Sequence, residues 1–493
     1  MSKSDGGSSR ASPKNRGAHE GRDDRGRDGR SKAALVVAAN RLPVAWNEAL
    51  DEWETSPGGL VSALAPILQE AGGAWVGWTG EPDHAPEPFD HDGIRNCPIR
   101  IDADEVENHY LGFCNATIWP LYHNSVRTPE YHRHWWRPYE AVNRRFAETI
   151  ADSLRWGGTV WVHDYQLQLV PGYLRERRSD AAIGFFLHIP FPPCELFGYL
   201  PWRRNVLRRL LAADVVAFQT QSDADNLAES AVRYVAAKRV DGGVEFDGRF
   251  VRLQAAPISI DTGAFESLAR SPEVEAQAAS LRRRLGPDKK ILLAVDRLDY
   301  TKGIAHRLKA LATFFERRAE TAAECAVVQV AVPTREDIAD YVDMRGEVER
   351  LIGQLNGRFG RPGHTPFTYM YTSLTQEDLV ACYRAADVML VTPLCDGMNL
   401  VAKEFVATRF DNTGVLVLSE FAGAAVELEE ALQVNPYDSD WLAYSVDEAV
   451  NLAPDEAKAR MMALRNRVWE RDVFDWSRDC LEAIEQAAPK PVP

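Results

Sequence analysis

Eight short apolar runs, each closed by polar residues or glycine, constrain the fold of this 493-residue chain more than any other feature. They form two series, at 35–43, 159–166, 183–192 and 214–220, and then at 290–303, 325–335, 387–397 and 414–423. Most are rich in β-branched residues, and amphipathic segments such as 203–213 and 373–387 separate most of them. Strands that are apolar on both faces and alternate with helices predict parallel sheets covered on both sides.

The two series predict an α/β protein with two doubly wound, Rossmann-like halves that face a central cleft. A chain of this length is also too long for a single core. We place the first domain at 33–265, the second at 266–470, and a final helix and tail at 471–493 that packs back on the first domain. Ligands bind beyond the carboxyl ends of the strands in such sheets. The polar residues that close each run are therefore the candidates for function.

Residues 1–32 differ from the rest of the chain, with nine Lys and Arg against five Asp and Glu and very few apolar residues. They are predicted to form a disordered basic extension. The whole chain has a net charge of −15, which disfavours nucleic-acid binding. The sequence contains no run of about 18 apolar residues, and its N-terminus lacks an apolar signal region. We therefore predict a cytoplasmic protein that binds neither membranes nor nucleic acids.

The seven cysteines are scattered along the chain at positions 97, 114, 194, 325, 382, 395 and 480, without a CxxC pair. This pattern predicts reduced, buried thiols and not a disulfide framework or a zinc site. Cys395 lies directly before a candidate site residue, and the sequence offers no reason for a cysteine there.

The stretch DGMNLVAKE, residues 396–404, is the strongest single candidate for a site. It follows a predicted buried strand and turns into a helix, whose free N–H groups would suit a diphosphate. Leu400 and Glu404 share a helix face, so Glu404 is placed to bind a ribose while Asp396 reaches a sugar hydroxyl. The alternative is an ordinary helix that is capped by Asp396 and carries Glu404 on its surface.

The stretch DRLDYTKG, residues 296–303, puts two cations at the end of another predicted strand. Arg297 and Lys302 would stabilise the negative charge of a diphosphate leaving group. Solvated surface cations, or a pair between Asp299 and one of them, are the alternative.

Further candidates lie at the ends of predicted strands or outside them, and each is weak alone. Most paired glycines only make turns, and most aromatic residues fill cores. A buried histidine is as often structural as functional. These candidates are Arg41, Gly58, Gly59, Tyr110, Trp119, Asp164, His188 and Arg335.

Taken together, these stretches closely resemble the trehalose-6-phosphate synthase family of retaining glycosyltransferases, family 20, which have the GT-B fold. The resemblance runs from about Leu35 to about Asn435. It rests on nine motifs in family order: NR (40–41), GGL (58–60), GW (77–78), WP (119–120), HDYQL (163–167), HIPFP (188–192), RLDYTKG (297–303), PTR (333–335) and DGMNLVAKE (396–404).

The resemblance implies that the second domain binds a nucleotide-glucose donor. Arg297, Lys302, Asp396 and His188 would be catalytic, and Leu374 would touch the base. UDP-glucose is the expected donor, while ADP-glucose and GDP-glucose stay open. The implied donor residues are Gly58, Gly59, Arg297, Lys302, Leu374, Asp396, Leu400, Val401, Ala402, Lys403 and Glu404.

The resemblance further implies that the first domain binds glucose 6-phosphate as the acceptor, through Arg41, Tyr110, Asp164 and Arg335. Trp119 and His188 would orient the two sugars for an α,α-1,1 linkage. The transfer needs neither a metal cofactor nor a protein nucleophile, because the departing phosphate oxygen takes the acceptor proton on the same face. A homo-oligomer, dimer or tetramer, is also expected.

Two alternatives remain at this point. A related pseudo-glycosyltransferase would use a cyclitol substrate and would change the acceptor residues. A non-catalytic regulatory subunit of a trehalose synthase complex would lose Arg297, Lys302, Asp396 or Glu404. Both sets of residues are present in this chain.

Overall fold

The computed structural model describes residues 32–47, 50–56, 59–334 and 339–487. The predicted basic extension lies outside this range, apart from its last residue. The strands are β1 Ala33–Arg41, β2 Val44–Asn47, β3 Glu52–Thr55, β4 Ala74–Trp78, β5 Phe89–His91, β6 Ile94–Pro98, β7 Leu154–His163, β8 Ala182–Phe186, β9 Val215–Phe218, β10 Lys238–Val240, β11 Gly243–Phe246, β12 Arg249–Ala255, β13 Lys290–Arg297, β14 Cys325–Val332, β15 Phe367–Tyr371, β16 Val388–Val391, β17 Val415–Ser419 and β18 Leu432–Val434.

The α-helices are α1 Gly59–Ala71, α2 Ala103–Glu105, α3 Trp119–Tyr122, α4 Arg133–Ser153, α5 Val170–Arg177, α6 Cys194–Phe197, α7 Arg203–Leu210, α8 Gln221–Val235, α9 Thr262–Ala269, α10 Pro272–Leu285, α11 Ile304–Arg317, α12 Ala319–Ala323, α13 Ala339–Phe359, α14 Gln376–Ala385, α15 Leu400–Thr408, α16 Ser439–Asn451, α17 Pro454–Glu470 and α18 Val473–Ala487. A π-helix spans Val106–Ile118, and short 3₁₀ turns occur at Tyr165–Leu167, Tyr300–Lys302 and Gly423–Val426.

The first sheet has ten strands in the order β10-β11-β12-β9-β8-β7-β1-β4-β6-β5. Its seven central strands, from β12 to β6, are parallel to their neighbours, and antiparallel hairpins close both edges. The chain order reverses between β1 and β7, so the carboxyl ends of these two strands flank a crevice.

The second sheet has six parallel strands in the order β15-β14-β13-β16-β17-β18. This is the doubly wound order, and it reverses between β13 and β16. All eight predicted apolar runs contain strands of one sheet or the other. The α/β architecture with two doubly wound halves is confirmed.

Several strands were not predicted from the sequence. β4 and β6 are short and lie among glycine and proline residues, and β15 is short and only half-buried. The β11–β12 hairpin did carry a signal, because an Asp-Gly pair with positive φ at Asp247 and Gly248 is the preferred two-residue turn.

Three apolar clusters hold the molecule together. One fills a face of the first sheet around Val36 and Val162, and another fills a face of the second sheet around Leu292 and Leu390. The third contains buried residues of both domains and of α18, so the domains share one core at their junction. α18 lies against β7, β8 and β9 of the first sheet.

Among the described residues, no helix is both long enough and apolar enough to cross a membrane.

Candidate active site

The carboxyl ends of β8 and β9 in the first sheet face the chain reversal of the second sheet across one cleft of about 320 Å³. Such reversals are where ligands bind in open α/β sheets. The cleft is lined from both domains by Leu60, His188, Gln219, Ile258, Val295, Asp296, Arg297, Lys302, Asp396, Met398, Asn399, Leu400 and Val401. Six of the residues singled out in the sequence, His188, Arg297, Lys302, Asp396, Leu400 and Val401, therefore meet in one place.

The N-terminus of α15 opens into this cleft. Its N-cap residue is Asn399, in a left-handed conformation with φ of 76°, and no side chain among the described residues caps the helix. The first N–H groups of the helix have no acceptor within it, and the helix dipole favours an anion there. The alternative in which Asp396 caps the helix is wrong, because Asp396 lies one turn earlier and bonds elsewhere.

Asp396 forms an ion pair with Lys302 and also accepts a hydrogen bond from Asn399 Nδ2 at 3.0 Å. The two paired side chains are only 11% and 14% exposed. Burial alone would raise the pKa of Asp396, but the charge and hydrogen bond of Lys302 hold it below its ordinary value. The cleft thus contains a fixed carboxylate with its cation already in place.

A short 3₁₀ turn, Tyr300–Lys302, carries Lys302 into the cleft. Asp299 supports this turn by accepting hydrogen bonds from Thr301 N at 3.0 Å and from Tyr341 Oη at 2.9 Å. The next residue, Gly303, has φ of 67°, and a Cβ there would lie 2.6 Å from the carbonyl oxygen of Thr392. Only glycine fits this close left-handed position, which fixes where Lys302 enters.

Arg297 ends β13 and is exposed to the cleft. Its guanidinium carbon lies 5.6 Å from the ring centroid of Trp119, which comes from the first domain. This distance allows a cation–π contact between the domains. Arg297 and Lys302 together place two positive charges near the open end of α15.

A network of buried polar side chains stabilises the same strand ends. Arg307, 1% exposed on α11, contacts Asp296 at the end of β13. It also donates to Gln329 Oε1 at 3.0 Å and to Thr392 Oγ1 at 3.1 Å. The sequence analysis missed Arg307, since an arginine in an amphipathic helix carries no signal of burial.

The remaining donor candidates lie along α15 and the loop before α14. Glu404 accepts a hydrogen bond from Tyr383 Oη at 2.8 Å, and burial raises the pKa of its carboxyl group. The Lys403 side chain is buried and is not among those that line the cleft, and it donates to the carbonyl oxygen of Ile258 at 2.9 Å. Ala402 is fully buried, and Leu374 is half-buried. Ala402 and Lys403 therefore offer a ligand only their backbone.

The acceptor candidates cluster at the end of β1. The guanidinium carbon of Arg41 lies 4.3 Å from the ring centroid of Trp78 and 6.0 Å from that of Tyr110. The two rings meet edge to face at 5.8 Å. Arg41 is exposed while Trp78 is buried, so the aromatic pair holds the cation with its charge directed outward.

Tyr110 and Trp119 come from the π-helix and from the first residue of α3 after it. π-Helical segments are rare, and they occur often at functional sites. Trp119 is 4% exposed and lies 4.2 Å from the ring of His123, whose pKa is lowered to about 4 by burial.

Gly58 and Arg335 lie outside the described residues, and Gly59 is the first residue of α1, not part of a loop.

Asp164 and His188 follow the neighbouring strands β7 and β8. Asp164 has φ of 75°, unusual for a residue with a Cβ and typical of functional positions. Its Oδ1 accepts a hydrogen bond from the backbone N–H of His188 at 3.2 Å. Burial lowers the pKa of His188 to about 3, so its ring is neutral near pH 7.

The two domains touch directly at the centre of the site. A Cβ added to Gly397 would lie 2.2 Å from the carbonyl oxygen of His188. Nearby, Asn124 Nδ2 lies 3.6 Å from Cys395 Sγ, which accounts for a buried cysteine before Asp396. All seven cysteines are free and buried, as predicted.

The cleft also contains Leu60, Met398 and Asn399, which belong to motifs identified from the sequence, and Gln219, which was not named there as a site residue. Gln219 had a usable signal, because it closes the predicted strand at 214–220.

In the described ranges, no group of three or more His, Cys, Asp or Glu side chains is arranged to hold a metal ion.

Comparison with known proteins identifies relatives of this chain. The sequence profile of glycosyltransferase family 20 matches residues 33–486. The trehalose-6-phosphate synthase of Mycolicibacterium gilvum is 46% identical over 477 residues, which cover 93% of this chain and 95% of that protein.

Solved structures give the same result. A UDP-forming α,α-trehalose-phosphate synthase from Burkholderia xenovorans, in complex with glucose 6-phosphate, has a TM-score of 0.84 at 33% identity, covering 91% of this chain and 99% of that one. An Escherichia coli protein bound with UDP-2-fluoro glucose has a TM-score of 0.86 at 32% identity, covering 92% and 100%. The chain therefore belongs to glycosyltransferase family 20.

Proposed function

We propose that this protein transfers glucose from UDP-glucose to glucose 6-phosphate and releases UDP and α,α-trehalose 6-phosphate, with retention at the donor anomeric carbon and without a metal ion. The observation that carries the proposal is the placement of Arg297 and the Lys302–Asp396 pair beside the open N-terminus of α15. The names of the relatives, together with the ligands named for their structures, support the choice of both substrates.

The donor is placed on the second domain. Its diphosphate lies against the N–H groups of α15 and the two cations, where negative charge is most strongly stabilised. Asp396, held as a carboxylate by Lys302, accepts hydrogen bonds from glucose hydroxyls. Glu404 accepts hydrogen bonds from the ribose, while Leu374 contacts the base.

The acceptor is placed on the first domain. Arg41, fixed on Trp78, binds the 6-phosphate together with Tyr110 and Arg335. Asp164 binds the sugar hydroxyls near the chain reversal at β7. Both substrates then lie in one cleft with the donor anomeric carbon facing the anomeric hydroxyl of the acceptor, which lowers the entropic part of the barrier.

In the transfer step the bond between the donor anomeric carbon and the phosphate oxygen breaks, and both of its electrons remain on UDP. Arg297 and Lys302 stabilise this charge. The anomeric hydroxyl of glucose 6-phosphate attacks from the same face. Its proton passes to the departing phosphate oxygen, so no protein base is needed. The two cations supply the charge stabilisation that a metal ion supplies in other transferases.

The test is an assay of nucleotide release by the purified protein. Glucose 6-phosphate is offered with UDP-, ADP- or GDP-glucose, with and without EDTA, and glucose serves as the control acceptor. We expect UDP release that requires glucose 6-phosphate and survives EDTA. No nucleotide release with any donor would contradict the proposal, loss of turnover with EDTA would contradict its metal independence, and a higher kcat/KM with ADP- or GDP-glucose would contradict its choice of base.

A further inference from the structure

His188 lines the cleft, but its ring also bonds to a second histidine behind it. The side chains of His163 and His188 leave the ends of β7 and β8, and His163 Nδ1 lies 3.1 Å from His188 Nε2. The two rings are 5.3 Å apart at their centroids and nearly parallel. One of these nitrogens must donate the shared proton, and the other must accept it.

Aromatic rings enclose His163, the inner histidine of this pair. His163 packs at 4.7 Å from the Trp161 ring and 6.3 Å from the Phe186 ring, and Trp476 of α18 packs on both of those residues at 5.0 and 5.1 Å. His163 is 1% exposed. Burial lowers the pKa of both histidines, so each ring is neutral and carries one proton.

The other nitrogen of His163 decides the direction of the hydrogen bond. His163 Nε2 is buried and has no hydrogen-bond partner among the described residues. If His188 donated to His163 Nδ1, the only proton of His163 would sit on Nε2 as a buried, unsatisfied N–H group. If His163 donates, Nε2 carries only a lone pair. A buried donor without an acceptor is the rarer and more costly arrangement.

We propose that His163 is a positioning residue that donates from Nδ1 to His188 Nε2 and thereby holds His188 in the Nδ1–H tautomer. His188 Nδ1 then donates to an oxygen atom of the sugar bound in the cleft. The pairing of histidines at the ends of two adjacent strands thus fixes which hydrogen bond the site offers its substrate. The sugar as recipient rests on the proposed function, whereas the tautomer does not.

The direct test is ¹⁵N NMR of the full-length protein labelled at histidine. Long-range ¹H–¹⁵N correlations distinguish the two neutral tautomers, and the spectrum of His188→Gln assigns the His188 signals. We expect the Nδ1–H pattern for His188 in the unliganded wild-type protein. The Nε2–H pattern would overturn the proposal. Because this spectrum is recorded without substrate, its result does not depend on whether the proposed function is correct.

Three variants then separate positioning from packing. His163→Leu should lower kcat/KM by about tenfold, the scale of one hydrogen bond, and should let His188 populate the Nε2–H tautomer. His163→Asn keeps an N–H donor near the Nδ1 position and should recover most of the rate and the wild-type pattern. Trp161→Phe loosens the same aromatic cluster without touching the hydrogen bond.

The control should therefore lower the melting temperature while the His188 pattern stays unchanged. A His163→Leu protein with wild-type rate and an unchanged His188 pattern would overturn the role of His163. If that variant does not fold, the proposal is tested by the wild-type spectrum and by the rate and tautomer pattern of the His163→Asn protein. Equal loss of rate in His163→Asn and Trp161→Phe, with an unchanged tautomer in both, would also contradict the proposal.

Discussion

The carboxyl ends of the two sheets differ in how far their charged side chains are already paired within the protein. At the second sheet, Lys302 is bonded to Asp396 and a glycine turn fixes its position. At the first sheet, Arg41 is exposed and rests on the faces of aromatic rings. One edge holds an ion pair before a ligand arrives, while the other presents an exposed cation with no ion-pair partner in the part of the chain that the structure describes.

This difference indicates where each edge contributes to the reaction. Preorganised charge stabilises a transition state without reorganisation, which fits the side where the leaving phosphate develops charge. The exposed cation held on aromatic rings fits the proposed binding of a phosphate that does not change during transfer. Variants of the second sheet should therefore affect turnover, and variants of the first should affect acceptor binding.

The largest effect is expected for Arg297→Ala. Loss of one electrostatic stabiliser typically costs ~10²–10³-fold in rate, so kcat/KM should fall by that factor. The side chain is exposed, so the melting temperature should change little. Steady-state kinetics and a thermal melt measure both, with Arg297→Lys as the charge-preserving control. Near-normal turnover of the Arg297→Ala protein would contradict the role of Arg297 as charge stabiliser.

The contact between the two edges is tested by Gly397→Ala. The added methyl group would lie 2.2 Å from the His188 carbonyl oxygen, so the domains must shift apart. A misplacement of about 1 Å at reacting groups costs roughly 10²-fold in rate. Gly353→Ala is the matched control, because a Cβ there meets no atom within 4 Å. Kinetics of both proteins are compared, and equal activity would show that the contact is not needed.

A smaller and more selective effect is expected for Arg41→Ala. Hydrogen bonds to charged groups contribute about 1.5–3 kcal/mol, so the KM for glucose 6-phosphate should rise ~10–100-fold. The KM for the donor should change by less than about threefold, the scale of a surface substitution. Initial rates at varied concentrations of each substrate separate the two. Equal changes in both KM values would contradict the division between the sheets.

The smallest effect concerns stability against pH, away from the cleft. His109 is fully buried, and burial lowers its pKa to about 3, below the unfolded value of about 6.5. Between these values the unfolded chain binds a proton that the folded protein does not. The free energy of unfolding therefore falls as pH drops, by at most about 1.4 kcal/mol per pH unit.

Replacing His109 with Gln should remove this part of the slope. Denaturant unfolding at pH 7, 6 and 5 measures it for the two proteins. An identical decline in both would mean that the His109 ring takes up its proton while the protein stays folded.

Periodicity and chain order were sufficient to predict the general fold. Continuous apolar runs closed by polar residues identified the two sheets, because strands buried on both faces carry a strong local signal. They also led to Arg297, Lys302 and Asp396, since strand ends at a chain reversal form the ligand crevice. The short strands β4, β6 and β15 were missed, as neither their length nor their composition separates them from loops.

Side-chain direction could not be predicted. The sequence grouped Lys403 with its neighbours, yet its side chain binds Ile258 and Glu427 at the domain junction. Arg307 and the bond between His163 and His188 depend on which side chains become neighbours in three dimensions. Local patterns contain no such information. The N-cap at Asn399 likewise depends on a left-handed turn, which the residue types before α15 do not predict.

The proposed reaction joins two glucose units with retention at the donor carbon. It is tested by ¹³C NMR of the product formed from UDP-[1-¹³C]glucose and unlabelled glucose 6-phosphate. We predict one new labelled signal, from an α-configured carbon in a 1,1-linkage to an α-configured partner. A β-configured labelled carbon, a linkage to another position or labelled free glucose alone would contradict it.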